Sequence, residues 1–175
     1  LRINDVPVLY TPYFRFPIDD RRQTGLLPPQ FGTSTNGGFV YAQPIYLNLA
    51  PHYDATLTPT LYTQRGLLMK GEFRYLTENL GRGEFSGAVL SNDKQTGEDR
   101  KSGRFRHALQ GETGWSARTD LNYVSDPFYL TDLGSGLEIA NQTYQERVGD
   151  VRYDRDNWHL LARAQGFQTL DPTLA

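Results

Sequence analysis

From residue 39 to the end of the chain, apolar and polar residues alternate with period two, run after run. In one run Ala55, Leu57, Pro59 and Leu61 alternate with Thr56, Thr58, Thr60 and Tyr62; in the next, Leu67, Met69, Gly71, Phe73 and Tyr75 alternate with Leu68, Lys70, Glu72 and Arg74. Successive side chains on a strand point to opposite faces, so each run predicts a strand with one apolar and one polar face. The alternation continues with Phe85 and Val89 against Glu84 and Ser86, and with Phe105, His107 and Leu109 against Arg104, Arg106 and Gln110. It then sets Trp115, Ala117, Leu121 and Tyr123 against Ser116, Arg118, Asp120 and Asn122, and two more strands are predicted near 144–153 and 158–167. With a first strand over 39–50, the pattern predicts about eight antiparallel strands of about 9 to 11 residues, long for a soluble sheet and long enough to cross a bilayer with tilt.

The stretch FVYAQPIYLNLAPHYDATLTPTLYTQRG reads as a hairpin whose two strands each carry a proline in the middle, Pro44 and Pro59, on either side of a turn at Ala50, Pro51 and His52. Proline has no backbone N–H and is confined to edges and bulges of sheets, so these strands cannot complete their ladders and a weak seam is the expected consequence. The bland alternative is a proline that ends local pairing at a bulge. Upstream, short apolar and aromatic runs around 6–10 and 13–16, punctuated by Pro7, Pro12 and Pro17, predict the last strands of a preceding β-domain over 1–24. Residues 25–38, rich in Gly, Pro, Ser, Thr and Asn, read as a linker, with Gly32, Asn36, Gly37 and Gly38 as a hinge or as an ordinary surface loop. Residues 39–175 form the third region, the strand array itself.

The polar face carries full charges mid-strand, notably Lys70, Arg74, Arg104, Arg106 and Arg118 balanced by Glu72, Glu84 and Asp120, so it meets water. The apolar face ends in aromatics such as Tyr53, Tyr75, Trp115, Tyr123 and Trp158. Apolar outside with an aromatic girdle and polar inside is the pattern of a transmembrane β-barrel wall. A soluble β-sandwich also has one apolar face per sheet, but fills it with larger branched residues, whereas this face is diluted with Gly and Ala.

Composition narrows the chemistry. The chain has 175 residues, no Cys, and 18 Lys+Arg interleaved with 20 Asp+Glu for a net charge of −2, which excludes a disulfide scaffold and Cys-ligated metal and argues against nucleic acid as a partner. It opens at Leu1 without an initiator Met and reads as an excised piece of a longer protein. His52, His107 and His159 fall on different strands or turns without a paired carboxylate at metal or catalytic spacing, so no metal, cofactor or enzyme activity is expected. A competing class, an outer-membrane acyl-transfer or phospholipase enzyme, needs a Ser/His/acid constellation; a passive porin or uptake channel needs only the same wall.

The run YLNLAPHYDATLTPTLYTQRGLLMKGEFRYL, residues 46–76, resembles the first barrel strands of the LptD family of lipopolysaccharide-assembly outer-membrane proteins, also called the organic-solvent-tolerance family. The preceding VPVLYTPYFRFPIDDRRQTGLLPP resembles the junction where that family's periplasmic jelly roll joins its barrel. The resemblance implies an all-β chain: the end of a β-jelly-roll followed by part of the antiparallel wall of a larger transmembrane β-barrel in the outer membrane of a Gram-negative bacterium, its N-terminal part periplasmic. It implies lipopolysaccharide as the transported molecule, an LptE-like lipoprotein as a plug and an LptA-like periplasmic bridge protein upstream. It also gives Pro44 and Pro59 a role, as prolines in the first two barrel strands that weaken a lateral gate, and leaves Lys70, Arg74, Arg104, Arg106 and Arg118 lining the lumen. One feature resists this reading. With eight strands and a periplasmic upstream domain, the turn at Pro51 faces outside and the long connections at 91–103 and 125–142 become periplasmic, where barrels usually have short turns. Either the strand count is off by one or the family departs from the rule.

Overall fold

The computed structural model describes residues 2–3, 6–7, 22–134 and 143–171. At the N-terminus, β1 (Arg2–Ile3) pairs antiparallel with β2 (Val6–Pro7); the rest of the expected upstream runs lies outside the described residues. All other strands form one antiparallel sheet: β3 (Gly25–Leu26), β4 (Gln30–Ser34), β5 (Gly38–Ala42), β6 (Ile45–Ala50), β7 (Tyr53–Tyr62), β8 (Gly66–Thr77), β9 (Gly81–Leu90), β10 (Arg100–Gln110), β11 (Trp115–Val124), β12 (Tyr144–Arg155) and β13 (Trp158–Thr169). From β7 onward each strand pairs with its successor in sequence, so the sheet is a meander of hairpins. The period-two runs of the sequence end within a few residues of these strands.

Residues 25–38 are not the expected linker. β4 pairs with β5 through a hairpin at 35–37, and β3 pairs with β6, so 25–34 is one pass across the sheet in two pieces and 38–50 is the next. The sheet therefore has one more pass than the sequence pattern gave, and Pro44 and Pro59 lie on the second and third passes from the edge, not on the first two. The reason is local. Pro28 and Pro29 break the alternation of 25–34, and Gly, Thr and Ser dilute what remains, so a paired edge strand carries loop composition.

The extra pass reverses the sense of every later connection. Turns 51–52, 78–80, 111–114 and 156–157 gather at one end of the sheet, and the 91–99 loop and residues 125–134 lie at the other with turns 35–37 and 63–65. The chain enters at the short-turn end: the Asn48 N–H donates to Thr24 Oγ1 (2.9 Å), and Arg22 pairs with Asp54 beside the 51–52 turn (3.4 Å).

The apolar cores of soluble sheets are covered, and here the arrangement is inverted. Leu57, Leu67, Phe85 and Leu121, on the apolar face, are 42%, 51%, 55% and 43% exposed. Among the described residues the buried cluster sits instead on the polar face at the long-loop end, where Tyr62, Leu68, Leu90 and Val124 pack under Tyr129 and Leu133 of the short helix α1 (Tyr129–Leu133). This is why Tyr62 and Leu68 interrupt the polar side of their strands. On the apolar face near the short turns, Gly83 leaves room for the Tyr75 ring to lie across the backbone; any Cβ at residue 83 would run into that ring. Tyr75 Oη reaches across Gly83 of β9 to His107 Nδ1, 2.6 Å away on β10.

Candidate functional site

At the sheet edge, three adjacent passes carry proline at one level. In an antiparallel hydrogen-bonded pair the two residues exchange two bonds, one in each direction. The Gln43 N–H donates to the Pro59 carbonyl (3.1 Å), and the return bond is impossible because Pro59 has no N–H. One pass further out, the Leu27 N–H donates to the Pro44 carbonyl (2.9 Å), and that return bond is lost at Pro44. Pro28 and Pro29 add two more residues without donors to the outermost pass. Below this break only Gly25 and Leu26 pair with the second pass; above it, five residues of β4 do. The break also carries a bulge, since residues 27–29 oppose only 43–44.

The polar face is a wall of matched charges. Arg74 bonds Asp54 at 2.7 Å, Arg106 bonds Glu84 at 2.7 Å, and Arg104 bonds Asp120 at 3.0 Å, each across neighbouring strands. Lys70, half-buried, has no ion partner among the described residues and stands in an open groove of about 790 Å³ lined by Thr56, Thr58, Ser86 and Ser102. Arg118 is exposed on the same face beyond Asp120. The five cations expected on the wall thus share one face, three of them neutralised by a neighbour.

The long-loop end holds an ion cluster that no sequence motif marks. The Arg65 and Arg100 side chains are both 3% exposed and the Asp93 side chain is 0% exposed. Arg65 meets Asp93 at 2.6 Å and Asp132 at 3.1 Å; Arg100 grips Asp126 at 2.6 Å and Asp132 at 2.7 Å. Arg65 Nε also donates to the Asn36 carbonyl (2.7 Å), Gln95 donates to the same oxygen (2.8 Å), and Asn36 Nδ2 donates to Asp132 (3.0 Å). Four connections, at 35–37, 63–65, 91–99 and 125–134, are thereby riveted together. The only sequence signal was the concentration of acidic residues in two loops, which normally marks a solvated surface.

The residues expected to act as a hinge take up this structure. Gly32 is laddered opposite Val40, Asn36 and Gly37 form the hairpin tip, and Gly38 starts β5 with φ +75. A Cβ at Gly38 would sit 2.5 Å from Thr63 Oγ1, so the tip packs tightly on the 63–65 turn. The three histidines stay apart. His107 bonds Tyr75, and His159 pairs with Asp154 at 3.0 Å. Among the described residues no group of three His, Asp or Glu could hold a metal ion.

Burial raises the Asp93 and Asp126 carboxyls, but hydrogen bonds and the adjacent guanidinium groups outweigh it and hold both below the ordinary value of 3.8. A depressed carboxylate contributes stability that is present above its unfolded pKa and lost as the pH falls through the folded one. Protease protection of the 125–134 loop is therefore expected to stay flat from pH 7 to about 4 and to fall only in more acid solution. Loss of protection between pH 6 and 5, followed by limited proteolysis, would mean that these carboxylates do not hold the loop.

Compared with known proteins, residues 1–131 match the family model described as LptD protein, and residues 98–175 match the one described as LPS transport system D. The LPS-assembly protein LptD of Xanthomonas oryzae pv. oryzae is 48% identical over 176 residues, which cover 99% of this chain and 21% of that protein. Those of Acinetobacter baumannii and Alcanivorax borkumensis are each 45% identical, over 98% and 99% of this chain and 21% and 23% of theirs. The chain spans about a fifth of the length of these relatives. With family models covering it from end to end and such identity along nearly its whole length, the chain belongs to the LptD family of LPS-assembly proteins.

Proposed function

We propose that this chain is one side of an outer-membrane β-barrel that receives lipopolysaccharide from the periplasm and releases it sideways into the outer leaflet, and that it is not an enzyme. The observation that carries this reading is the proline break at the sheet edge, which removes ladder bonds where a lateral exit needs weak pairing. Strands of 10 to 12 residues with an exposed apolar face and a charged opposite face support a membrane wall. Tyr53, Tyr75, Trp115, Tyr153 and Trp158 cluster near the short turns, as an interfacial girdle would.

The same arrangement supports one sidedness. In this reading the short-turn end, where residues 22–24 enter the sheet, is periplasmic, and the 91–99 loop and residues 125–134 are outside, in keeping with the habit of outer-membrane barrels. In this reading residues 1–24 end a periplasmic jelly roll that takes lipopolysaccharide from an LptA-like bridge protein, and the lumen accepts an LptE-like lipoprotein plug. With the 35–37 tip fastened to the ion cluster, the freedom for the upstream domain to tilt lies at Leu27, Pro28 and Pro29 rather than in the hairpin. A porin reading uses the same wall but needs an open lumen, and the 125–134 loop packs against the polar face instead.

Among the described residues Lys70 and Arg118 are the wall cations left for a passing anionic group, Lys70 in the groove, whereas Arg74, Arg104 and Arg106 already have partners. Photo-crosslinkers at Lys70 and Arg118 in the full-length protein of working cells should therefore capture lipopolysaccharide, more strongly at residue 70 than at Arg104. Transfer to the outer leaflet by the reconstituted protein with its plug should accompany capture. Failure of both would leave the porin.

A further inference from the structure

We infer that Gln43 is a side-chain clasp that replaces the ladder bond removed by Pro44 and sets how readily the outermost pass peels away; the inference rests on the lateral-exit reading. Pro44 cannot return a bond to the Leu27 carbonyl, and the Gln43 side chain supplies it: Nε2 donates to Leu27 O at 2.8 Å and to Pro44 O at 3.2 Å. Its Oε1 accepts from the Tyr41 hydroxyl at 3.1 Å. Only this orientation works, because a flipped carboxamide would set its oxygen against two carbonyl oxygens. The setting argues for a selected role. On the second pass Phe39, Tyr41, Ile45 and Leu47 share the apolar face with Gln43, and a carboxamide there is costly unless its groups are bonded. Both the donor and the acceptor of Gln43 are used locally, between the two pieces of a broken strand.

The clasp divides the outermost pass into two parts. The upper part, β4, has five paired residues and a tip held by Arg65. The lower part, β3, has two paired residues, the Leu27–Pro44 bond, the Gln43 clasp and the two bonds of Asn48 to Thr24 and Arg22. Peeling therefore starts at the lower part, next to the incoming upstream domain, and Gln43 stands at the point where it stops.

The test is a double-substitution cycle on the full-length protein in outer membrane with its partner, read by hydrogen–deuterium exchange of the peptide over 25–34. Gln43→Met keeps the shape and removes the donor, and should speed exchange roughly 2- to 13-fold. In a Pro44→Ala background the new main-chain N–H takes over Leu27 O, so the same substitution should change exchange little. An unchanged rate in the first case, or an equal increase in both backgrounds, overturns the clasp. Tyr41→Phe should produce a smaller increase by releasing the carboxamide. The two readings separate cleanly. Faster exchange with normal lipopolysaccharide delivery and permeability keeps the clasp and removes the exit, whereas altered export in proline variants with Gln43→Met silent keeps the exit and removes the clasp.

Discussion

Replacing Arg65 with methionine should detach the long-loop end from the polar face while leaving the strand ladder intact. The substitution strips the 0%-exposed Asp93 side chain of its 2.6 Å partner and leaves Arg100 at 3.4 Å and the Gln95 N–H at 3.0 Å to answer its charge. Breaking a buried ion pair by removing one member costs about 3–5 kcal/mol, most of it from the charge left behind. The cost falls on the connections that meet there: the 35–37 tip, the 63–65 turn, the 91–99 loop and α1. The wall pairs of Arg74, Arg104 and Arg106 belong to other strands and stay in place. Limited proteolysis at 125–134 should accelerate by two orders of magnitude or more, and cells carrying the full-length variant should admit large antibiotics. Asp93→Ala added to Arg65→Met should recover part of the loss by removing the stranded carboxylate. If both variants resist protease like the parent, the cluster is a passive by-product of folding.

Most of the strand array was legible because alternation is a local property. The runs at 53–62, 66–77 and 115–124 show period two without reference to anything distant, and the sheet repeats them closely. What was illegible depended on partners far away in sequence. β4 reads as linker because its pairing is decided by β5 and by the turn at 35–37, not by its own residues. A trace of it survived as the misplaced long loops, since a missed pass inverts the direction of every later connection. Arg65 and Asp93 lie 28 residues apart in two turns, and nothing in either turn announces the other. The position of Pro44 was legible; the bond it lacks was not, because Leu27 lay in the stretch taken for a linker. The wall charges fell between these cases. Their face follows from alternation, but which of them are neutralised depends on the cross-strand register, Arg74 opposite Asp54 and Arg106 opposite Glu84.

That register makes the two prolines of the proposed gate unequal. Pro59→Ala restores an N–H directly opposite the Gln43 carbonyl, whereas Pro44→Ala offers one to Leu27 O, which the Gln43 side chain already serves. A restored bond contributes about 0.5–1.5 kcal/mol net, so the double substitution should stabilise the closed edge by about 1–3 kcal/mol at most, with Pro59→Ala supplying the larger share. A shift of that size lowers an open population by roughly 5- to 150-fold. In full-length protein at matched outer-membrane levels, surface lipopolysaccharide should fall and antibiotic sensitivity rise in the order Pro44→Ala, Pro59→Ala, double variant. A proline that only terminates pairing would instead give a better-folded barrel with unchanged export. Normal surface lipopolysaccharide and normal sensitivity in the double variant would take the gate away from these residues, and the reverse order of the single variants would mean that the outermost joint, between Leu27 and Pro44, controls release.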